Sequence, residues 1–140
     1  MTAGALATLT FNHLGLAVRR EEDAIVLLRA MGYEIGDSVF DPLQNVHARL
    51  CRSAAHPAVE ILQPGEGKSP VDSFLNKYNE IIYHVCYETD DLSRTLADLE
   101  SRGLRCQCLA ERKPAVLFGG RHVSFYRVAG FGIIELLERN

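Results

Sequence analysis

The sequence predicts an α+β fold built from two βαβββ modules that share one interior. Its 140 residues, 47% of them hydrophobic and 24% charged, suit one ordinary domain with a single core. Short apolar runs alternate with two stretches of helical periodicity. The spacing also repeats, since Gly32 follows His13 by 32 − 13 = 19 residues and Gly103 follows His84 by 103 − 84 = 19 residues. We therefore expect one domain over 1–140, with two modules in register.

The first module is expected at about 9–63. It begins with the run LTFNHLGLAV (9–18), which is short, apolar and β-favourable and therefore predicts a buried strand. An amphipathic helix follows from Arg20 to Met31, with acidic residues in its first turn and Gly32 at its end. Helical spacing predicts its inward stripe as Ala24, Leu27, Leu28 and Met31. Three further strands are predicted at 39–40, 46–51 and 58–62.

A linker at about 64–80 contains a short helix, because Ser69 and Pro70 suit its N-terminus. Its apolar stripe is predicted as Val71, Phe74, Leu75 and Tyr78. The second module, about 81–140, repeats the pattern with a strand from Ile81 and a helix from Leu92 to Arg102. The inward residues of that helix are predicted as Leu92, Leu96 and Leu99. The remaining strands are predicted at 104–108, 116–118, 122–126 and 132–137.

Charge and cysteine content exclude several classes of function. The chain has 15 basic and 18 acidic side chains, a net charge of −3, and no dense basic stripe, so we expect no nucleic-acid partner. It has no 18-residue apolar stretch and no signal-peptide pattern, so we expect no membrane partner. Its four scattered cysteines indicate a reducing, cytoplasmic compartment. We expect Cys106 and Cys108 to be partly buried small residues rather than a second metal site.

Four titratable side chains interrupt otherwise apolar strands, namely His13 and Glu60 in the first module and His84 and Glu135 in the second. Burial of a carboxylate is costly unless the group is paired or bound to a metal. Taken singly, each histidine also fits a hydrogen-bonded core residue, and each glutamate also fits a solvent-facing position. Taken together, the two pairs predict an N2O2 metal site with room for water or a substrate oxygen, which is typical of catalytic sites.

Several segments resemble the vicinal oxygen chelate superfamily of glyoxalases, bleomycin resistance proteins and dioxygenases, and most of all its methylmalonyl-CoA epimerase branch. They are FNHLGLAV, VEILQP, GKSPVDSFLNKY, IYHVCYETDDL and GIIELLE, and the resemblance covers nearly the whole chain. It implies one curved mixed sheet around a metal-binding cleft, and a homodimer. It also implies one divalent ion held by His13, Glu60, His84 and Glu135. Cobalt, zinc, nickel and manganese all suit these ligands.

The epimerase branch also implies a reaction, the removal of an α-proton from an acyl thioester of CoA or of a carrier protein. Glu135 and Glu60 are the candidate bases. The run LQNV (43–46) resembles a Gln-Gly-Val motif of the branch and indicates Gln44 as a substrate contact. No second base is evident, because Ala48 stands at the position that we match to a proton-transfer glutamate proposed for some epimerases.

A glycine-rich turn is a further candidate for substrate binding. Gly119, Gly120 and Arg121 can close over an anionic group, since glycines permit close backbone approach. A plain hairpin turn is the alternative interpretation of the same residues.

Two other functions use the same scaffold. A glyoxalase I-like lyase would act on a glutathione hemithioacetal with the same ligands and the same proton abstraction. A non-enzymic protein that binds small molecules such as drugs would typically lack the four ligands. An extradiol dioxygenase fits less well, because that chemistry uses two histidines and one carboxylate.

Overall fold

The computed structural model describes residues 4, 6 and 9–139, which form the predicted α+β fold. The first half comprises β1 (Thr10–Val18), α1 (Glu22–Ala30), β2 (Glu34–Ile35), β3 (Val39–Asp41), β4 (Val46–Arg52) and β5 (Val59–Pro64). A short helix, α2 (Asp72–Leu75), connects the halves. The second half comprises β6 (Glu80–Thr89), α3 (Leu92–Ser101), β7 (Cys106–Pro114), a 3₁₀ helix (Val116–Phe118), β8 (His122–Val128) and β9 (Gly132–Glu138).

All nine of these strands belong to one curved mixed sheet, in the order β2-β4-β5-β1-β6-β9-β8-β7, with β3 paired to β4. The first and last long strands of each half are parallel neighbours, β1 with β5 and β6 with β9. The halves join where β1 and β6 pair antiparallel, and in that register His13 faces Cys86 while Gly15 faces His84. The two halves are therefore related by a local two-fold axis, and the predicted βαβββ repeat is confirmed.

Three groups of buried side chains hold the sheet to its helices. Val18 and Ile61 pack with Leu28 of α1, and a second group on the first half contains Leu75 of α2 and Val71, the residue just before that helix. In the second half the buried group is Cys86, Ala115, Val123 and Leu137. Because α2 also packs beside β6, it helps to hold the two halves together.

The predicted inward stripes of the helices are partly wrong. Leu27 and Met31 are 59% and 43% exposed, whereas Leu28 is buried and the half-buried Ala24 and Ile25 pack beside it. The helix therefore turns a narrower face to the sheet than its apolar residues suggest. Tyr78 is also exposed, since α2 ends at Leu75. In α3 the predicted Leu92, Leu96 and Leu99 are half-buried, and the fully buried residue is Thr95.

The strand predictions fail chiefly between 104 and 121. Residues 116–118 form a 3₁₀ helix instead of a strand, because Ala115 and Arg121 close a tight turn that ends in Gly119 and Gly120 at positive φ. The strand predicted at 104–108 runs from Cys106 to Pro114. All four cysteines are free, with Cys106 half-buried and Cys108 exposed. None of the described helices is long and apolar enough to cross a bilayer.

Candidate metal centre

The four titratable side chains that interrupt the strands converge at the centre of the sheet. His13 lies on β1, Glu60 on β5, His84 on β6 and Glu135 on β9, and all four residues are buried. Their potential ligand atoms lie within 4.8 Å of one another. Because β5, β1, β6 and β9 are adjacent strands, the local two-fold axis brings one histidine and one glutamate from each half to the same point.

The distances show which atoms face the centre of this cluster. His13 Nε2 lies 3.2 Å from Glu60 Oε1 and 3.1 Å from Glu135 Oε1. His84 Nε2 lies 3.0 Å from Glu135 Oε1 and 3.7 Å from Glu60 Oε1. The two Nε2 atoms are 3.4 Å apart. One atom of each side chain therefore faces a common point, as an N2O2 site requires.

The two buried carboxylates favour a positive charge at the centre of the cluster. Burial alone lowers the pKa of His13, but the close contacts and negative charges of Glu135 and Glu60 raise it to about 9. Burial would raise the pKa of Glu135, yet the charge of His84 and the contact with His13 hold it below its ordinary value. Burial and the two carboxylates also raise the pKa of Tyr83 and of Cys86. A proton or a cation at the centre thus stabilises the two glutamates.

The donor set fits a divalent metal ion. Glu135 Oε1 is buried and close to both histidine rings, but no N–H among the described residues is aligned to donate a hydrogen bond to it. A buried carboxylate oxygen without a donor is costly, and coordination to a metal would satisfy it. Imidazole nitrogen and carboxylate oxygen are ligands that zinc, cobalt, nickel and manganese accept.

Aromatic rings enclose the histidines. The ring of Phe118 stacks on His13 at a centroid distance of 5.4 Å. Tyr83 and Phe125 meet the His84 ring edge-on, at 4.5 and 5.2 Å. Phe118 belongs to the 3₁₀ helix that packs against β3 and β4, so the segment wrongly predicted as a strand forms one wall of the cluster.

Gly15 provides the space that His84 occupies. A Cβ atom at Gly15 would lie 2.1–2.4 Å from three atoms of the His84 ring, far inside van der Waals contact. The position needs glycine because of this close approach, since its φ is not in the left-handed region.

A cavity of about 470 Å³ lies between the halves and has mostly apolar walls. Its walls include Gln44, Phe74, Tyr83, Lys113 and Phe125. A second cavity, of about 10 Å³, is lined by Glu60, Glu135, Phe118, Asp41 and Gln44, so Gln44 lies between the larger cavity and the cluster. A third cavity, of about 640 Å³, lies against α1, and none of the four donors lines it.

Asp41 holds Gln44 in place. Its Oδ1 accepts hydrogen bonds from the backbone N–H groups of Leu43 and Gln44, and its Oδ2 accepts one from Gln44 Nε2 at 3.0 Å. This leaves the amide oxygen of Gln44 as the end available to a ligand. This role was not evident from the sequence, because the carboxylate acts through its position in the folded chain.

The predicted substrate contacts separate into two groups. Gln44 lines the cavities beside the cluster, whereas Gly119, Gly120 and Arg121 line none of these three cavities. The two glycines form the turn after the 3₁₀ helix, and Arg121 pairs with Glu88. The substrate-binding role of these four residues stays a prediction.

Comparison with known proteins gives the class to which this fold and site belong. Residues 12–125 match the Glyoxalase/Bleomycin resistance protein/Dioxygenase superfamily. The chain belongs to this superfamily.

Its relatives point to one branch of the superfamily. The chain is 31% identical over 130 residues to an ethylmalonyl-CoA/methylmalonyl-CoA epimerase of Cereibacter sphaeroides, a match that covers 89% of this chain and 94% of the relative. A methylmalonyl-CoA epimerase of Mycobacterium tuberculosis shares its fold, with a TM-score of 0.76 at 22% identity and coverage of 100% and 93%. A Streptomyces coelicolor methylmalonyl-CoA epimerase variant, solved with 2-nitronate-propionyl-CoA, gives a TM-score of 0.71 at 20% identity and coverage of 94% and 97%.

Proposed function

We propose that this chain is a divalent-metal-dependent epimerase that removes and returns the α-proton of a methylmalonyl-CoA-like acyl thioester. The observation that carries the proposal is the buried four-donor cluster beside a cavity built by both halves. The epimerase relatives support the same reaction class. They also support a CoA thioester as the ligand, since solved neighbours hold acyl-CoA compounds.

In this proposal His13, Glu60, His84 and Glu135 hold the ion through the atoms that face the cluster centre. When bound, a divalent ion supplies positive charge that stabilises the negative charge developing on a carbonyl oxygen as the α-proton leaves. The aromatic walls contribute by excluding water, which strengthens every electrostatic interaction at the centre.

Proton transfer falls to the two glutamates. Glu135 Oε1 lies close to the Nε2 atoms of both histidines, whereas Glu60 Oε1 is 3.7 Å from His84 Nε2. Glu60 is therefore less tightly engaged, and it is the better candidate for a base that moves to the substrate. Because its histidine neighbours keep Glu135 ionised, Glu135 must first take that proton from Glu60, whose ligand atom lies within 4.8 Å, before it can return the proton to the opposite face.

The 470 Å³ cavity fits an acyl thioester. Its apolar walls suit an acyl chain, and the amide oxygen of Gln44 can accept a hydrogen bond at the end nearest the cluster. Lys113 lines the same cavity and has no ion pair among the described residues, so its ammonium group is available to a substrate carboxylate or phosphate.

The test measures metal content and deuterium exchange together. Purified protein loaded with cobalt or zinc is placed in D2O with methylmalonyl-CoA, and loss of the α-proton signal is followed by NMR. We expect exchange by the wild type, and loss of both bound metal and exchange in His84→Ala. The matched control is His56→Ala, because His56 is an exposed histidine in the β4–β5 loop and lies outside the cluster.

Thermal unfolding of each variant checks that it is folded. A His84→Ala protein with full metal content and turnover would overturn the proposal, as would a wild type that binds no divalent metal. The glyoxalase alternative is tested with methylglyoxal and glutathione. Turnover of that pair without exchange at methylmalonyl-CoA would replace the epimerase by a lyase.

A further inference from the structure

A line of hydrogen bonds runs from the protein surface to His13. Arg121 NH2 donates to Glu88 Oε1 at 2.5 Å, and Asn12 Nδ2 donates to Glu88 Oε2 at 3.2 Å. Asn12 Oδ1 lies 2.7 Å from His13 Nδ1. Arg121 is itself anchored, since its Nε donates to the backbone oxygen of Glu138 at 2.9 Å. We call these three side chains, Asn12, Glu88 and Arg121, the His13 relay.

The direction of each bond in the relay follows from the groups involved. Arg121 can only donate, and the carboxylate of Glu88 can only accept. Asn12 must therefore turn its NH2 group to Glu88, which leaves its oxygen facing His13. An oxygen acceptor at Nδ1 requires the proton to be on Nδ1, so the Nε2 lone pair of a neutral ring points into the cluster.

His84 has no equivalent relay among the described residues. His84 Nδ1 is buried without a hydrogen-bond partner among the described residues. The residue before His84 is Tyr83, whose ring meets His84 edge-on, so none of the described residues places a side-chain acceptor where Asn12 lies beside His13. Glu88 and Arg121 lie in the second half, yet the relay that they form with Asn12 reaches the histidine of the first half and does not follow from the shared βαβββ backbone.

We propose that Asn12, oriented by Glu88 and Arg121, is a positioning residue that keeps the His13 proton on Nδ1 and leaves Nε2 free to bind the divalent ion. This inference rests on the proposed function. It gives Arg121 a role that differs from the predicted contact with substrate. Side chains that orient a metal-bound histidine through its other nitrogen change metal affinity about 10- to 100-fold when they are replaced.

The test measures zinc affinity by competition with a chromophoric chelator at pH 7.5. We expect Asn12→Leu to weaken zinc binding about 10- to 100-fold, because Nδ1 loses its acceptor. Glu88→Gln should weaken it less, since a glutamine can face Asn12 with either end. The double variant Asn12→Asp/Glu88→Gln exchanges amide and carboxylate but keeps every donor facing an acceptor, so it should recover affinity close to that of the wild type.

The control for Glu88→Gln is Glu80→Gln, because Glu80 lies on the same strand, outside the relay, and changes charge equally. A second readout is the His13 Nδ1 proton of zinc-loaded protein labelled with ¹⁵N. That proton should exchange with water faster in Asn12→Leu than in the wild type.

Each outcome is decisive. A wild type that binds no zinc overturns the proposed function and the relay with it. A wild type that binds zinc, with Asn12→Leu equally tight or the double variant as weak as Asn12→Leu, overturns the relay alone. If Asn12→Leu does not fold, the near-isosteric Glu88→Gln and the double variant decide the question by the same comparison.

Discussion

The two halves each supply one histidine and one glutamate to the cluster, but the surroundings of the two histidines differ. His13 has a hydrogen-bond partner on its outer nitrogen and a stacked ring, Phe118. In the part of the chain that the structure describes, His84 has no hydrogen-bond partner on its outer nitrogen, and its ring is held by the edges of Tyr83 and Phe125. The repeated backbone thus fixes where the four cluster side chains lie, whereas side chains that are not repeated decide how each histidine ring is oriented and protonated.

The largest effect on the difference between the two histidines should come from filling the space beside the His84 ring, rather than from removing a hydrogen bond. Gly15 and Cys86 occupy equivalent positions, since 15 + 71 = 86 just as 13 + 71 = 84. We expect Gly15→Ala to displace His84 and abolish zinc binding, because its Cβ would lie 2.1 Å from the ring. Such overpacking also lowers the free energy of unfolding by about 1–3 kcal/mol. Chelator competition and urea unfolding measure the two effects.

The matched control for this experiment is Cys86→Ala. Cys86 is fully buried but is not one of the four donors, so its truncation should cost about 1 kcal/mol and leave zinc bound. Gly15→Ala protein that binds zinc as tightly as the wild type would contradict the role assigned to Gly15.

The next effect in size is the pH dependence of the metal-free protein. The pKa of His13 is raised from 6.5 to about 9 by its glutamate neighbours against the effect of burial. The folded state therefore holds a proton that the unfolded state releases above pH 6.5. The stabilisation is fully present below pH 6.5 and is lost as pH rises through about 9, an effect of about 3 kcal/mol. Urea unfolding of chelator-treated protein between pH 6 and 9.5 measures it.

Zinc reverses the sign of this dependence. The ion needs a free Nε2 lone pair, so one proton leaves His13 for each ion bound. We expect zinc affinity to rise about tenfold per pH unit between 6.5 and 9. Titration calorimetry in buffers of different ionisation enthalpy counts the protons released. Zinc affinity that does not change with pH would show that His13 is already neutral without metal.

The sequence predicted the convergence of the four cluster residues better than it predicted their surroundings. Apolar strands interrupted by single polar residues, twice at matched offsets, identified His13 and His84 correctly as neighbours. Phe118 was placed on a strand, because the apolar triplet 116–118 fits a strand as well as it fits the first part of the turn that Ala115 and Arg121 close. Asn12 was missed for a related reason. Its partner Glu88 lies 76 residues away, so the contact depends on the pairing of β1 with β6.

The smallest expected effects on the free energy of unfolding come from the N-termini of α1 and α3, which are stabilised differently in the two halves. Asp91 at the start of α3 accepts a hydrogen bond from Arg94 N, whereas Glu21 at the start of α1 makes no capping bond and pairs with Arg49. We expect Asp91→Ala to lower the free energy of unfolding by about 1 kcal/mol. Asp91→Asn should retain most of the stabilisation that the cap provides, because an amide oxygen can also accept the capping hydrogen bond.

In the first half, the N-terminus of α1 should depend on the pair of Glu21 with Arg49 instead of on a capping bond. Its guanidinium makes two hydrogen bonds to Glu21, from Nε at 3.1 Å and from NH2 at 2.7 Å, and a third from NH1 to Gly36 O. The effect of Glu21→Ala on unfolding should therefore disappear when Arg49 is already alanine, whereas that of Asp91→Ala should persist in the same background. Urea unfolding of the single and double variants measures both. An effect of Glu21→Ala that survives in the Arg49→Ala background would mean that Glu21 stabilises α1 directly, through its charge at the positive end of the helix.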